Sequence, residues 1–328
     1  MKLGLYSITY LGLWYRGQAL PLADMIVRAK QFGYDGIEID GKRPHGNPLD
    51  WPTSRCRELR SRADHEGIDI FAVAANNDFS SPVPEVREAQ ICFVRDLIRM
   101  TADFGAPTLR VFLAWWGVTL HQKVASYDIA KRLWPVVHES FSAEEIWGWC
   151  REALIECARY AGDAGVTLAL QNHRPVIHDH RDVLRMVREV NSPFLKVCLD
   201  APIMPDRSQA AIQQAAREVG PLQVLSHVGG EFERRQDGTI RGFDVFDGAI
   251  RGDTNQYYRD FVQAMQAIGY EGYLSYELCH PLPVVDGQTV DIGYAHANAQ
   301  LAAEFMRDLI ESKPSPTVGQ SPMPAARC

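Results

Sequence analysis

The sequence lacks the hallmarks of several protein classes. Its 328 residues contain no Cys-x-x-Cys pair, no apolar run long enough to span a membrane and no dense cluster of Lys and Arg. The 7 cysteines are scattered, which indicates reduced thiols rather than a disulfide framework or a zinc cluster. The net charge of −7 disfavours nucleic-acid binding, because such proteins neutralise phosphates with a basic face. We therefore predict no nucleic-acid partner and no contact with a membrane.

The two ends of the chain lead to separate expectations. The amino terminus, MKLGLYSITYLGLWYRG, has neither the apolar core nor the small-residue cleavage site of a secretory signal. Together with the scattered cysteines, this predicts a cytoplasmic protein. Residues 313–328 are rich in Pro and Ser, which predicts a disordered tail.

Short apolar runs alternate with longer amphipathic segments along most of the chain. The runs are β-branched and apolar on both faces, as expected for parallel strands covered by helices. A doubly wound sheet would favour a Gly-x-Gly-x-x-Gly after the first strand, and none is present. We therefore predict the α/β class and a (β/α)₈ TIM barrel. The predicted strands are 2–8, 36–40, 69–74, 108–113, 166–171, 195–200, 222–227 and 272–277, and the predicted helices are 22–32, 54–66, 85–104, 143–164, 182–190, 208–219, 256–268 and 294–309.

We predict one barrel domain over residues 1–312, with two insertions at the mouth of the barrel. The first insertion, 114–142, is rich in tryptophan and tyrosine, and the second, 229–254, is rich in charge and glycine. Both follow strands at the carboxyl end, where barrel active sites are built from βα loops. The aromatic side chains either form a wall of a substrate pocket or pack the loops against the barrel.

Four successive predicted strands end in side chains of metal-ligand type. Gln171, Asp200, His227 and Glu277 are the last residues of strands five to eight. Neighbouring barrel strands place their terminal side chains around one mouth, so these groups are expected to converge. Oxygen donors with one imidazole suit a divalent ion, Mn²⁺ first, with Mg²⁺, Co²⁺ and Zn²⁺ as alternatives. The other interpretation is a hydrogen-bonded polar ring without an ion.

This ligand pattern resembles the xylose isomerase-like barrel superfamily over nearly the whole chain, up to about Glu311. In its epimerase-like members the resemblance implies Glu, Asp, His and Glu as metal ligands. Asp200, His227 and Glu277 match that set, and Gln171 stands where the first Glu is expected. The stretches GLYSITYLG, GIEIDGKRPHGNPLDW and QNH are also similar to the larger subunit of C-glycoside deglycosidases. That branch implies a small partner subunit; a homo-oligomer is the alternative.

The glutamine affects the predicted chemistry, because Gln171 can ligate a metal but cannot accept a proton. His173 lies two residues later, and either it or Glu277 is predicted to remove a proton beside a substrate carbonyl. We predict first an enolising lyase that eliminates from a 3-keto-glycoside. The alternatives are a ketose isomerase or 3-epimerase, and a sugar-binding barrel without catalysis. An apurinic endonuclease would need more metal ligands and a basic groove.

Further residues near the predicted mouth are candidates for contacting a sugar or glycoside. Each also has a structural interpretation, such as an internal ion pair for Glu38 with Arg110 or a cover over the barrel for Trp14. The five predicted substrate-binding residues are Glu38, His45, Arg110, Trp14 and His280.

Overall fold

Parallel strands close into a barrel at the centre of the molecule. The computed structural model describes residues 1–121, 124–246 and 249–312. Within these residues the barrel strands follow one another in chain order around the ring, each hydrogen-bonded to the next, and the last pairs with the first. The predicted α/β class and (β/α)₈ barrel are confirmed. The predicted tail, 313–328, lies outside the described residues.

We number the barrel strands β1 to β8 in chain order. Their bounds are β1 Lys2–Tyr6, β2 Gly36–Asp40, β3 Asp69–Ala74, β4 Thr108–Val111, β5 Thr167–Gln171, β6 Leu195–Cys198, β7 Gln223–Gly229 and β8 Tyr273–Glu277. Nearly all of their residues are buried, because the barrel interior fills one face and the helices cover the other.

The helices surround the barrel. They are α1 Leu22–Phe32, α2 Thr53–Glu66, α3 Pro84–Asp103, α4 Asp128–His138, α5 Ala143–Ala164, α6 His180–Val190, α7 Gln209–Val219, α8 Asn255–Ala267 and α9 Ile292–Glu311. All except α4 bury an apolar stripe; in α4 the buried residue is His138, and Ile129, Leu133, Val136 and Val137 are exposed. Short 3₁₀ turns occur at Ser7–Tyr10, Pro48–Asp50 and Gly220–Leu222. None of the helices in the described ranges combines the length and apolar character needed to cross a membrane.

Two predicted strand ends differ from the structure in a way that affects the site. β6 ends at Cys198, so Asp200 lies two residues beyond it, whereas β7 continues to Gly229 and keeps His227 inside the strand. β5 and β8 end at Gln171 and Glu277, as predicted. The prediction that all four residues terminate strands is therefore wrong for Asp200 and His227. Apolar periodicity does not mark where pairing stops, because backbone hydrogen bonds to the neighbouring strands decide it.

The two predicted insertions form compact additions at the mouth. The first contains a hairpin, Thr119–His121 with Val124–Ser126, followed by helix α4, which was not predicted. The second contains a three-stranded antiparallel sheet, Glu231–Arg234, Ile240–Phe246 and Ala249–Asp253. A further two-stranded ribbon, Val284–Val285 with Gln288–Thr289, follows β8.

An aromatic pair forms the floor of the barrel interior beneath the site. The rings of Phe71 and Tyr273 are stacked with their centroids 3.8 Å apart. Gly4 leaves room for this pair, because a Cβ atom there would lie 2.3 Å from Cζ of Phe71. The side chains of the site lie farther along the strands, as Glu277 lies beyond Tyr273 on β8.

Replacing Gly4 by alanine should destabilise the fold by about 1–3 kcal/mol, because the added methyl group forces the stacked Phe71 ring to move in a packed interior. Urea denaturation monitored by circular dichroism measures this change. Gly148→Ala is the matched control, since a Cβ atom at this position of α5 meets nothing within 4 Å and alanine favours a helix. Equal stability of Gly4→Ala and the wild type would contradict the packing described here.

Candidate metal centre and active site

Three side chains of ligand type converge at the carboxyl end of the barrel. Asp200, His227 and Glu277 each offer one ligand atom, and these atoms lie within 4.8 Å of one another. They come from the β6–α7 loop, from β7 and from the end of β8, which are neighbours around the barrel. The convergence that the sequence predicted is present in the structure.

Gln171 joins this cluster through its amide nitrogen. Nε2 donates to Oδ2 of Asp200 and lies 3.0 Å from Nδ1 of His227. The amide oxygen Oε1 of Gln171 and the carboxylate oxygen Oδ1 of Asp200 are buried and have no hydrogen-bond partner in the described part of the chain. A half-turn of the amide would exchange its nitrogen for its oxygen and direct a metal-binding atom at the centre.

His227 is held in one orientation from two sides. Its Nε2 lies 2.9 Å from Oε2 of Glu38, and because a carboxylate accepts only, this nitrogen donates. Nδ1 therefore faces Asp200 and Gln171. The ring also stacks on that of Tyr6, with centroids 5.5 Å apart and an interplanar angle of 7°. A carboxylate behind a histidine ligand in this way fixes its tautomer and raises its basicity.

Asn172 fixes the position of Asp200. Its side-chain oxygen accepts from the backbone nitrogen of Asp200 at 2.6 Å, and its side-chain nitrogen donates to the backbone oxygen of Asp200 at 3.2 Å. These two bonds hold the β6–α7 loop against the end of β5, although Asp200 lies outside any strand. In the stretch QNH, Gln171 therefore belongs to the cluster, Asn172 holds Asp200 in position and His173 lines the cavity.

The cluster contains more negative than positive groups. Burial raises the pKa of Glu277 to about 7, against the opposing charge of His227. Burial by itself would lower the pKa of His227, but the carboxylates of Glu38 and Asp200 outweigh it and raise this pKa to about 10. Several buried carboxylates therefore surround a single imidazole. This excess of negative charge favours the binding of a cation.

The residues present fit a divalent ion. Two carboxylates, one imidazole nitrogen and one amide oxygen form a donor set of the kind that Mn²⁺ and Mg²⁺ accept. The observation that supports this is the pair of buried oxygens of Gln171 and Asp200 that have no partner among the described residues, because such atoms are costly unless a ligand satisfies them.

A cavity opens directly above the cluster. Gln171, Asp200 and Glu277 form part of its wall, so a ligand in the cavity reaches them. Its other wall residues are Tyr6, Ile8, Lys42, Asn76, Arg110, Phe112, Trp115, Trp116, Tyr127, Lys131, His173, Pro202, Ile203, Gly229, Gly230, Asp244, Val245, Cys279 and His280. Both predicted insertions contribute to this wall.

His173 lies in the wall among aromatic rings. Its ring centroid is 4.8 Å from that of Phe112, 5.0 Å from that of Trp115 and 5.4 Å from that of Trp116. Nδ1 contacts the carbonyl oxygen of Arg174, which can only accept, so Nδ1 carries the proton and Nε2 has a free lone pair. Burial lowers the pKa of His173 to about 4. The imidazole is therefore neutral near pH 7, as a general base requires.

The predicted substrate-binding residues occupy different places. Arg110 and His280 line the cavity. Glu38 is fully buried behind His227 and acts on that ring. Trp14 packs against Tyr127, with ring centroids 5.1 Å apart, and so supports the wall from behind. Nε2 of His45 lies 2.9 Å from the carbonyl oxygen of Leu20, and this residue lines a groove separate from the cavity.

Arg110 belongs to a buried polar chain rather than to an ion pair with Glu38. Its Nη2 donates to the hydroxyl of Tyr6 at 2.8 Å, and that hydroxyl donates to Oδ2 of Asp40 at 2.8 Å. Asn76 completes the chain by donating to Oδ1 of Asp40 at 2.9 Å. Tyr6, Asn76 and Asn172 were not predicted as site residues, because a polar residue in or after one strand shows no sign of its partner on another.

Fold and site together define a barrel with a candidate metal centre at the carboxyl mouth of its strands. Residues 26–309 match the family described as xylose isomerase-like TIM barrel. The chain belongs to this family, and the resemblance seen in the sequence is confirmed.

Several relatives are similar over most of their length. A fructoselysine 3-epimerase of Shigella flexneri is 24% identical over 294 residues, which cover 85% of this chain and 90% of the relative. Among solved structures, a D-psicose 3-epimerase of Clostridium cellulolyticum has a TM-score of 0.68 at 20% identity, covering 95% of this chain and 100% of that one. A 3-keto-D-glucoside 4-epimerase of E. coli has a TM-score of 0.64 at 16% identity, covering 94% and 99%.

These relatives bear on the predicted activity. The structural neighbours establish the fold, and the named activities are all carbohydrate epimerisations, so the prediction of an enzyme is confirmed. They support the ketose epimerase that we gave as the alternative better than the lyase that we predicted first.

Replacing Glu38 by glutamine should weaken binding of a divalent ion by about 10- to 100-fold, although Glu38 is not among the ligands, because the amide loses the charge that orients His227. Titration calorimetry with Mn²⁺ measures the affinity. Asp260→Asn is the matched control, since Asp260 is a buried carboxylate held by Gln209 and Gln256. Unchanged affinity in Glu38→Gln would show that Glu38 does not act through the histidine.

Proposed function

We propose that the protein epimerises a keto-sugar by moving a proton at the carbon beside its carbonyl group. The observation that supports this most directly is the placement of Glu277 and His173 in the wall of one cavity, above the candidate metal ligands. The relatives' names point the same way, since they denote inversion at one carbon of a ketose or keto-glucoside.

An epimerase needs two proton-transfer groups on opposite faces of the carbon that it inverts. Glu277 ends β8 and His173 follows β5, so the two approach the cavity from different sides of the barrel. Gln171 has an amide, which does not act as a base or an acid near neutral pH, at the place where the resemblance implies a carboxylate. We assign one face to Glu277 and the other to His173, whose neutral imidazole accepts a proton at Nε2.

The remaining groups bind and orient the sugar. Asp200, His227, Glu277 and Gln171 would hold one divalent ion, Mn²⁺ in our proposal. Such an ion supplies a Lewis acid for the substrate carbonyl, which makes the neighbouring C–H bond more acidic. We assign binding of a sugar oxygen to the Arg110 guanidinium and cover of the apolar face of the sugar to the rings of Trp115 and Trp116, all of which line the cavity.

Replacing Gln171 by glutamate should tighten binding of a divalent ion by about tenfold or more, because a full negative charge replaces a neutral oxygen within the ligand cluster. Calorimetric titration of both proteins with Mn²⁺ measures the difference. Gln213→Glu adds the same charge on the exposed face of α7 and serves as the control. Equal affinities of Gln171→Glu and wild type would place Gln171 outside the metal centre.

Solvent exchange tests the proposed reaction without knowledge of the natural substrate. The protein is incubated in D₂O with Mn²⁺ and, in turn, D-fructose, D-psicose, fructoselysine and methyl 3-keto-D-glucoside. Mass spectrometry and chromatography then follow deuterium uptake and the formation of epimers. We expect one deuterium per molecule of new epimer for at least one of these compounds. If an epimer formed without deuterium uptake, the proton added to the carbon could not have come from a group that exchanges with solvent. This result would contradict the proposed pair of Glu277 and His173.

A further inference from the structure

Helix α4 carries its apolar side chains on a face that points away from the barrel. Ile129, Leu133, Val136 and Val137 recur at intervals of three and four residues, which places them in one stripe along the helix. Their exposed fractions are 43%, 55%, 62% and 50%, respectively. A stripe of this kind normally packs against another surface, whereas here it forms the outer face of the first insertion.

The opposite face of α4 attaches the helix to the rest of the molecule. Ile129 and His138 are nine residues, or about two and a half turns, apart and therefore point in opposite directions. The buried ring of His138 stacks on that of Trp134, and its Nε2 lies 2.9 Å from the carbonyl oxygen of Ser80 in the β3–α3 loop. Because this face fixes the helix to the barrel, the apolar stripe is left as an outer surface.

The exposed apolar surface of the first insertion has the size that a dimer interface needs. Leu120, in the hairpin that contacts α4, and Phe141, just after the helix, add two exposed side chains to the four of the stripe. These six are half of the 12 large apolar side chains that are exposed in the described part of the chain, and they present about 500 Å² of apolar surface. A standard interface buries about 800 Å² per partner, of which about 65% is apolar in homodimers. The two areas agree.

The stripe is symmetric about the middle of the helix, which suits a second copy of the same chain. α4 spans Asp128–His138, so Leu133 is its central residue. Ile129 lies four residues before Leu133, and Val137 lies four residues after it. In an antiparallel pair of α4 helices with a two-fold axis at Leu133, this residue meets its own copy, and Ile129 of each chain meets Val137 of the other. A two-fold interface requires self-complementarity of this kind.

We propose that the protein forms a homodimer through the outward face of α4, with Leu133 at the two-fold axis. This interface also bears on the cavity. The first insertion carries Tyr127 and Lys131 into the cavity wall, and the hydroxyl of Tyr127 donates to the backbone oxygen of Cys279 at 2.8 Å. A second copy bound to α4 therefore supports one wall of the cavity in each chain.

Analytical ultracentrifugation of the protein without metal or substrate tests the dimer. We expect the wild type at micromolar concentration to have at least twice the chain mass of 36.8 kDa. In Leu133→Asp two carboxylates meet at the axis, so the dissociation constant should rise by about 10²-fold or more. Leu49→Asp is the matched control, because Leu49 is 81% exposed in the turn after β2, and its association should equal that of the wild type. Circular dichroism shows whether each variant is folded.

A disulfide cross-link tests the position of the axis. The background carries Cys92→Ser, which removes an exposed thiol, and Cys328→Ser. In this background Leu133→Cys should join two chains on mild oxidation, because a disulfide needs Cα atoms within about 7 Å and a residue at a two-fold axis lies beside its own copy. Ile155→Cys, on the exposed side of α5, should remain unlinked.

The outcomes separate this inference from the proposed reaction. A wild type with the mass of one chain would overturn the inference and leave the outward face of α4 to a different protein, such as a small partner subunit. Undiminished association in Leu133→Asp, or equal cross-linking of Leu133→Cys and Ile155→Cys, would also overturn it, because the contact would then lie elsewhere. Since all these measurements use the protein without metal or substrate, failure of the proposed epimerisation would not change their result.

Discussion

Glu277→Gln is expected to lower the rate of proton exchange at the substrate α-carbon by about 10²- to 10⁴-fold. The carboxylate at the end of β8 lies in the cavity wall and among the ligand atoms of Asp200 and His227. A carboxylate in this position can accept the α-proton and return it to the same face of the carbon. Glutamine keeps an oxygen of similar position but cannot accept the proton. Mass spectrometry of substrate incubated in D₂O gives the exchange rate.

Two comparisons make this experiment specific. Glu271→Gln removes an exposed carboxylate near the other end of β8 and should exchange at the wild-type rate. Calorimetry with Mn²⁺ on Glu277→Gln separates the loss of the base from a loss of metal affinity. Wild-type exchange in Glu277→Gln would remove Glu277 from the proposed proton-transfer pair.

His173→Gln is expected to lower net epimerisation by about 10²- to 10⁴-fold, with a different signature from that of Glu277→Gln. If His173 transfers the proton on one face of the carbon and Glu277 on the other, the variant can still transfer a proton on the Glu277 face. One of the two epimers should then still exchange its α-proton with solvent but no longer convert into the other. The test is to supply each epimer separately in D₂O and to follow deuterium uptake and conversion.

Because His173 packs among aromatic rings in the cavity wall, the matched control is a histidine outside the cavity. His178→Gln alters an exposed histidine of the same β5–α6 loop, and both reactions should proceed as in wild type. If His173→Gln converted the epimers at the wild-type rate, another group would have to serve the second face. Equal loss of exchange from both epimers would likewise contradict a one-sided role for His173.

Much of the fold could be predicted from the sequence because the barrel repeats one local pattern. Apolar runs of strand length alternate with amphipathic segments, and glycine follows several helices, as at Gly33, Gly67 and Gly165. These glycines adopt positive φ angles of 82°, 72° and 68°. Because glycine is favoured where φ is positive, a glycine after an amphipathic segment was sufficient to predict where the helix ends.

The ligand cluster could be predicted because barrel topology brings successive strand ends together. Gln171 and Glu277 end their strands, and the shifts at Asp200 and His227 do not separate the four side chains. Asn172 explains this tolerance, since its two hydrogen bonds to the backbone of Asp200 replace strand pairing.

The supporting contacts could not be predicted, because they depend on pairs far apart in the sequence. Glu38 meets His227 across the barrel, and nothing near either residue indicates the other. The same holds for Glu231 with His280, which requires the sheet after β7 to fold over the mouth. His45 was predicted from its position after β2, and the structure places its ring 2.9 Å from the carbonyl oxygen of Leu20, in a separate groove.

We propose that the barrel mouth binds one divalent ion through Asp200, His227, Glu277 and Gln171. Calorimetric titration of the metal-stripped protein with Mn²⁺, alongside His227→Gln, tests it most directly. We expect one ion per chain in the wild type and no stoichiometric binding in the variant. Absence of binding in the wild type, or equal binding in both proteins, would contradict it.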